Sequence, residues 1–394
     1  MRVPLVVMAL VLALLIAACG TSAPAPTGTP RNPPTLPAPT WTVGEAAGTP
    51  ITLANIDQLR YLGRLDAPDT IGTWFDFSLS PDSTALAALN IDQLVSWDLI
   101  AGQPLFYTGR GDSTRVFYSP DKTEIYAVTG TGSVGVFDAF SGAQSTGFSG
   151  HPTYAGSAAY YADAGWLALG GTEGTVKVWD TFERVSLVTL SAPAEAITTL
   201  AFSPDGSRLA SAARDGSIRV WDWAARQEIA AAQLDSTGTV TALAFSPDGT
   251  RLAIGTNGSA RLWHIDAADA PVTMDSGRSD ILLFNGDGRY LLAGAANRGL
   301  SLWDGSSATF VGNLPNTAGD GISAAFSPDG SLLVTATLNG GVFLWDLSNI
   351  TSETLNQAAL DIGTRQIHRV HWTADGRLLL FFDAVGAVYV WGIG

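Results

Sequence analysis

The chain has 394 residues, 46% hydrophobic and only 14% charged, with 43 glycines and a formal net charge of -15. That length suits several small domains or one large repeat fold, and sparse charge with abundant glycine suits short strands joined by tight turns. Residues 51–394 hold 19 basic against 35 acidic groups, a surface that repels phosphate backbones and argues against a nucleic-acid partner. One cysteine excludes an intramolecular disulfide framework and a cysteine-based metal cluster.

In chain order, residues 1–18 read as a lipoprotein signal peptide. Arg2 is a minimal basic start, Leu5 to Ile16 is an apolar run too short for a membrane span, and Ile16-Ala17-Ala18 precedes Cys19. Ile-Ala-Ala-Cys resembles a bacterial lipobox, which implies cleavage before Cys19 and acylation of it. Attachment through two or more acyl chains gives stable anchoring. Residues 19–45 are then the lipidated Cys19 and a Pro/Thr-rich tether. Seven prolines and five threonines between 20 and 40 forbid a core, and the stretch spans up to ~65 Å at ~3.1 Å per residue. The expected location is extracytoplasmic, on a bacterial membrane.

Residues 46–394 read as one domain. Asp57–Leu65 is a strand with no hairpin partner of its own. Behind it a module repeats eight times, most fully in Phe202–Asp222. Ser203-Pro204-Asp205-Gly206 has type I turn chemistry, and Asp215-Gly216 is a hairpin turn. An aromatic slot recurs at Trp97, Phe137, Trp179, Trp221, Trp263, Trp303, Trp345 and Trp391, spaced by 40 to 46 residues. Each slot lies 17 or 18 residues after its turn, so the module is rigid. Trp221 is expected between blades, whereas Trp223, in the connection after the slot, is expected to matter far less to stability. Trp372 occupies the apolar position before a turn and is expected in the core.

Periods of about 40–45 residues ending in Trp-Asp mark four-stranded propeller blades. With SPDG at 203, 246 and 327 and Trp-Asp at 97, 179, 221, 303 and 345, the chain resembles the WD-repeat β-propeller family. The resemblance implies an all-β, eight-bladed β-propeller. It also implies a Trp–Ser/Thr–Asp–His tetrad in each blade, from which this chain departs: only Gly150-His151 matches the histidine, and no blade holds all four. After Trp391 only three residues remain, so the last blade lacks an outer strand. The orphan strand at 57–65 is expected to close the ring by pairing near 387–391.

No catalytic constellation is found, and no metal or cofactor is expected: the four histidines lack clustered carboxylates, and no GxSxG or GxxxxGK appears. His368 and His371 are placed three apart on an inner strand, facing a common mouth. Four residues before each turn stand Asp76, Arg115, Ser157, Thr199, Ala242, Ile281, Ser323 and Arg369. Asp76, Arg115 and Arg369 fall on neighbouring blades once the ring closes, so with Asp280 and His368 they are candidates for a binding patch. The competing reading is a self-satisfied internal network. The functional expectation is a non-catalytic, lipid-anchored scaffold that binds a protein or peptide through propeller loops. The alternatives are a cell-envelope assembly factor, which resembles in architecture the eight-bladed lipoprotein of outer-membrane protein insertion, and a propeller enzyme or sugar/cofactor binder.

Overall fold

The structure is a computed structural model. It describes residues 49–393, apart from 67–73, 110, 192–194, 235–238, 268, 296–298, 316, 318–321, 338–340, 349, 351–356 and 361–365. Cys19, the leader and the tether therefore lie outside the described residues. Described strands form eight antiparallel sheets of four, and a single short 3-10 turn at Leu53–Gln58 is the only described helix. Blades 1 to 7 span 76–109, 113–149, 154–191, 197–233, 240–274, 281–314 and 322–360. Blade 8 combines 367–393 with the strand Leu59–Leu65 from the other end of the chain.

Blade 4 shows why the sequence folds this way. Its strands are Ile197–Phe202, Arg208–Ala213, Ser217–Asp222 and Gln227–Gln233, from the inside outward. In the first turn, Gly206 N–H donates to the Ser203 carbonyl (2.8 Å) and Arg208 N–H to Ser203 Oγ (2.8 Å). The Ser203 hydroxyl donates to Asp205 (2.6 Å), so the serine serves both sides of the turn. Gly206 has φ +70°, and a side chain there would meet the Tyr161 ring. The serine-to-backbone bond recurs at Ser80, Ser119, Ser246, Ser327 and Thr373.

The apolar core is divided into clusters between neighbouring blades. Trp221 lies opposite Leu209, beside a bulge that offsets the outer strand, and packs with Val176, Val178 and Leu190 of blade 3. Its Nε1 donates to Ser211 Oγ (3.0 Å), which supplies the tryptophan–serine half of the family tetrad; Trp345 does the same with Thr335 (2.9 Å). His151 instead heads a chain through Thr175 to Glu173, and burial lowers its pKa. Trp372 is buried as expected.

Trp223 differs from the expectation. It is as buried as Trp221, its Nε1 donates to the Gly206 carbonyl (2.8 Å), and it meets Trp166 of blade 3 edge-on at 4.7 Å. The connection after the slot folds back over the first turn, so this indole seals the end of the same blade interface. Truncation of either tryptophan to alanine is expected to cost about 3–5 kcal/mol, which denaturant unfolding of the two variants will measure. A negligible loss at Trp223 would contradict this placement.

The ring closes through Leu59–Leu65, antiparallel to Val388–Ile393, with Leu59 opposite Ile393 and Leu65 opposite Val388. The strand starts at Leu59 rather than at Asp57. Residues 53–58 form the 3-10 turn instead, because Asn55 accepts the Thr52 N–H (2.7 Å) while Leu53 and Ile56 pack on blades 7 and 8. A bulge after Tyr61 breaks the expected alternation and leaves Leu62 over Gly392, where a side chain would collide with it. Removing 51–65 would open the edge at 388–393. Deletion of 51–65 is expected to lower the melting temperature of the whole ring and cause aggregation, whereas deletion of 20–40 leaves melting unchanged, both read by calorimetry and light scattering.

Candidate functional site

Inner strands of blades 1 and 5 to 8 line a central cavity of about 630 Å³. It opens among the starts of these strands, away from the Ser-Pro-Asp-Gly turns. Its walls come from blades 5 to 8, from Phe77 of blade 1 and from the approach to that blade. Inner strands of blades 2, 3, 4, 5 and 8 each carry a bulge, and the residues that follow are Arg115, Ser157, Thr199, Ala242 and Arg369. A bulge re-aims a side chain at a sheet rim. The column picked out by spacing is thus a real structural position.

Of the five candidate residues, Asp280, His368 and Arg369 line the cavity, beside Trp74, Phe75, Phe77 and Ser323. Asp76 and Arg115 are not among its described walls. Trp74 and Phe75 escaped the sequence reading; their signal was only their place just ahead of Asp76. Trp74 is buried and packs edge-on against Trp97 at 5.3 Å.

The charged trio does meet, and its bonds run mainly to backbone. Asp76 Oδ2 accepts the Val116 N–H of blade 2 (2.7 Å), and Arg369 Nη2 donates to the Phe75 carbonyl (2.7 Å) while its guanidinium lies over the Phe77 ring. Arg115 Nη1 donates to the Thr114 carbonyl (3.2 Å). Ser78 and Ser323 lace neighbouring inner strands in the same way, accepting from Tyr118 (3.0 Å) and Val370 (3.1 Å). Burial raises the Asp76 pKa, against the pull of the Val116 bond and of Arg115 and Arg369. Burial lowers Arg369, with Asp76 opposing. Asp76 and Arg369 thus tie blades 8, 1 and 2 together.

Asp280 is different. It is exposed, and among the described residues its side chain pairs with the nearby Arg278 (2.7 Å) and with no other blade. Burial lowers the His368 pKa, so the ring is neutral near pH 7 and can donate or accept. His371 does not share the mouth: it packs edge-on against Phe77 at 5.0 Å, and burial lowers it to about 4. Among the described residues no group of three or more His, Cys, Asp or Glu is placed to hold a metal ion.

Eight four-stranded blades around a channel define an eight-bladed β-propeller. The WD domain, G-beta repeat family model matches residues 142–180, 184–222, 231–264 and 308–346, each match ending at an aromatic slot and the residue after it. The chain carries WD repeats within an eight-bladed β-propeller. Members of this family are generally non-enzymatic scaffolds that bind proteins. No curated protein matches the chain. Among solved structures it is similar to the computationally designed Ika8 protein, at 20% identity and a TM-score of 0.66, covering 84% of this chain and 99% of that one. That likeness speaks to the fold.

Asp76→Ala leaves a buried N–H without an acceptor and two guanidinium groups without their counter-charge, so a loss of about 2–4 kcal/mol is expected. Asp280→Ala is expected to stay within about 0.5 kcal/mol of the parent. Thermal unfolding of the two variants side by side checks the contrast.

Proposed function

We propose that this protein is a lipid-anchored, extracytoplasmic scaffold, without catalysis of its own, that binds a protein or peptide at the mouth of its channel. The observation that supports it is the relative placement of chain entry and cavity. Ile51 N–H donates to the Gly376 carbonyl (2.9 Å), in the turn between the first two strands of blade 8. The cavity opens at the opposite ends of those strands. With Cys19 acylated and residues 19–45 as tether, the membrane lies on the turn side and the mouth faces away from it. There, Phe75 and Phe77 offer apolar surface, and Asp280, His368 and Arg369 offer donors and acceptors, a combination suited to a peptide.

Mass spectrometry of the mature protein is expected to find an acylated Cys19 as its first residue, and Cys19→Ala to release the protein from membranes. A photo-crosslinking residue at position 280 or 368 is expected to capture a discrete partner in intact cells. The same group at Ile229, on the outer strand of blade 4, is expected to capture none. An unmodified Cys19 defeats the anchor, and equal capture from all three positions defeats the mouth.

A further inference from the structure

The turn side carries an array that neither ring closure nor the channel uses. The third and outer strands of each blade are joined by a turn, and in blades 1, 2 and 3 that turn follows Asp98, Asp138 and Asp180. Asp98 Oδ1 accepts the N–H groups of Ile100 and Ala101 (2.8 and 2.8 Å). Asp138 Oδ1 accepts those of Phe140 and Ser141 (3.2 and 2.8 Å), and Asp180 Oδ1 those of Phe182 and Glu183 (2.9 and 3.0 Å). One oxygen of each carboxylate is committed to its turn. The other has no hydrogen-bond or ion-pair partner among the described residues.

The residue two places after each aspartate is apolar and exposed: Ile100 at 42%, Phe140 at 57% and Phe182 at 44%. The turn does not require this. In blades 6 and 7 the same position is Ser306 and Ser348, whose hydroxyls donate to Asp304 and Asp346 (2.6 Å each). Blade 5 has Asp266 there and blade 4 Ala224. Three consecutive blades therefore expose an apolar side chain where a serine would bond better.

Five basic residues of this side are already engaged, while Arg226 and Arg289 lie on blades 4 and 6, outside the arc of blades 1 to 3. Lys122 pairs with Asp82, Arg184 with Glu124, Arg208 with Asp266, Arg251 with Asp248 and Arg377 with Asp375. Asp98, Asp138 and Asp180 are left without a described cation, on a domain carrying 19 basic against 35 acidic groups. The hydrogen bonds of Ser141, with those of the turn, hold Asp138 below the usual carboxylate range, so it stays ionised.

We propose that Ile100, Phe140 and Phe182, with Asp98, Asp138 and Asp180, form a docking surface for a basic amphipathic segment of a partner protein, its apolar side chains seated on the arc and its lysines or arginines on the free carboxylate oxygens. One exposed apolar side chain and one ionised carboxylate per blade, on three neighbouring blades, complement a segment that carries both apolar and basic side chains. A second copy would bring the same acidic surface against itself, and an anionic bilayer carries the same sign. Both are disfavoured by charge. The surface is separate from the channel mouth, so the two readings stand or fall independently.

The test uses the whole chain carrying Cys19→Ala, so that no lipid competes for the probe, and a fluorescent synthetic peptide of alternating lysine and leucine. Binding is expected to weaken about tenfold or more in I100S/F140S/F182S and in D98N/D138N/D180N, with melting unchanged. Asparagine keeps the turn-capping oxygen and removes only the charge. The control D222N/D304N/D346N removes equal charge from the matching turns of blades 4, 6 and 7 and is expected to bind like the parent. Equal weakening in that control would reduce the effect to bulk charge and overturn the proposal, as would full binding by the serine variant. Vesicles of phosphatidylcholine and phosphatidylglycerol that bind the parent but not the serine variant would reassign the arc to a membrane surface. A parent dimer that the serine variant cannot form would reassign it to self-association.

Discussion

An antiparallel sheet of four short strands has two apolar faces and two open edges, and a ring of such sheets must satisfy all of them at once. Faces are satisfied blade against blade, which is why the buried clusters straddle neighbours: Val176 and Trp221, Leu86 and Phe382, Leu300 and Leu333. That arrangement stabilises only if the ring is complete. The demand falls on blade 8, whose outer strand comes from residues 59–65. Leu65 then packs with Val388 and Val390 against Trp74 and Trp97 of blade 1, so the closing strand also helps build the first interface. The closure joins the two ends of the domain and makes the stability of each blade conditional on that of the last.

The repeat was legible because two chemical needs recur at fixed places. A serine must accept a strand N–H while donating to the turn aspartate, and a large aromatic must fill the gap between sheets. Both leave marks in sequence that survive substitution, as Thr373 and Phe137 show. What was misread depended on where a connection goes after its motif ends. Trp223 reads as a loop residue by position, yet its chain doubles back over Gly206. Residues 57–58 read as strand by pattern, yet Asn55 caps a 3-10 turn that consumes them.

The binding candidates were only partly legible, for a related reason. Spacing located the column at the channel, since bulges put Arg115, Ala242 and Arg369 at equivalent points. It could not separate side chains that lace blades from side chains that face open space. Asp76 and Asp280 are the same residue type and close in register, but the first accepts a neighbouring blade's N–H and the second leans on Arg278. The difference lies in what stands across the blade boundary, some 40 residues away in sequence. Trp74 and Phe75 were invisible for the opposite cause: nothing in their spacing distinguishes a cavity wall from an ordinary strand entry.

These distinctions divide the molecule by side. At the channel mouth, charge is buried and partly spent on structure, so the pKa of Asp76 is raised and Arg369 is tied to a carbonyl. On the turn side, carboxylates sit among N–H donors and hydroxyls, and they remain ionised: Asp138 and Asp205 are held down by serine hydroxyls and turn N–H groups. Burial would make a mouth-binding partner sensitive to shape and hydrogen bonding, with little long-range steering. Exposed, ionised turns would draw a basic partner from a distance and release it as salt rises. The steering surface lies on the side of the Gly376 turn, where Ile51 joins the ring, and the shape-selective one toward the opposite ends of the strands. The two sides therefore suit different partners, one drawn by charge to the turns and one selected by shape at the mouth.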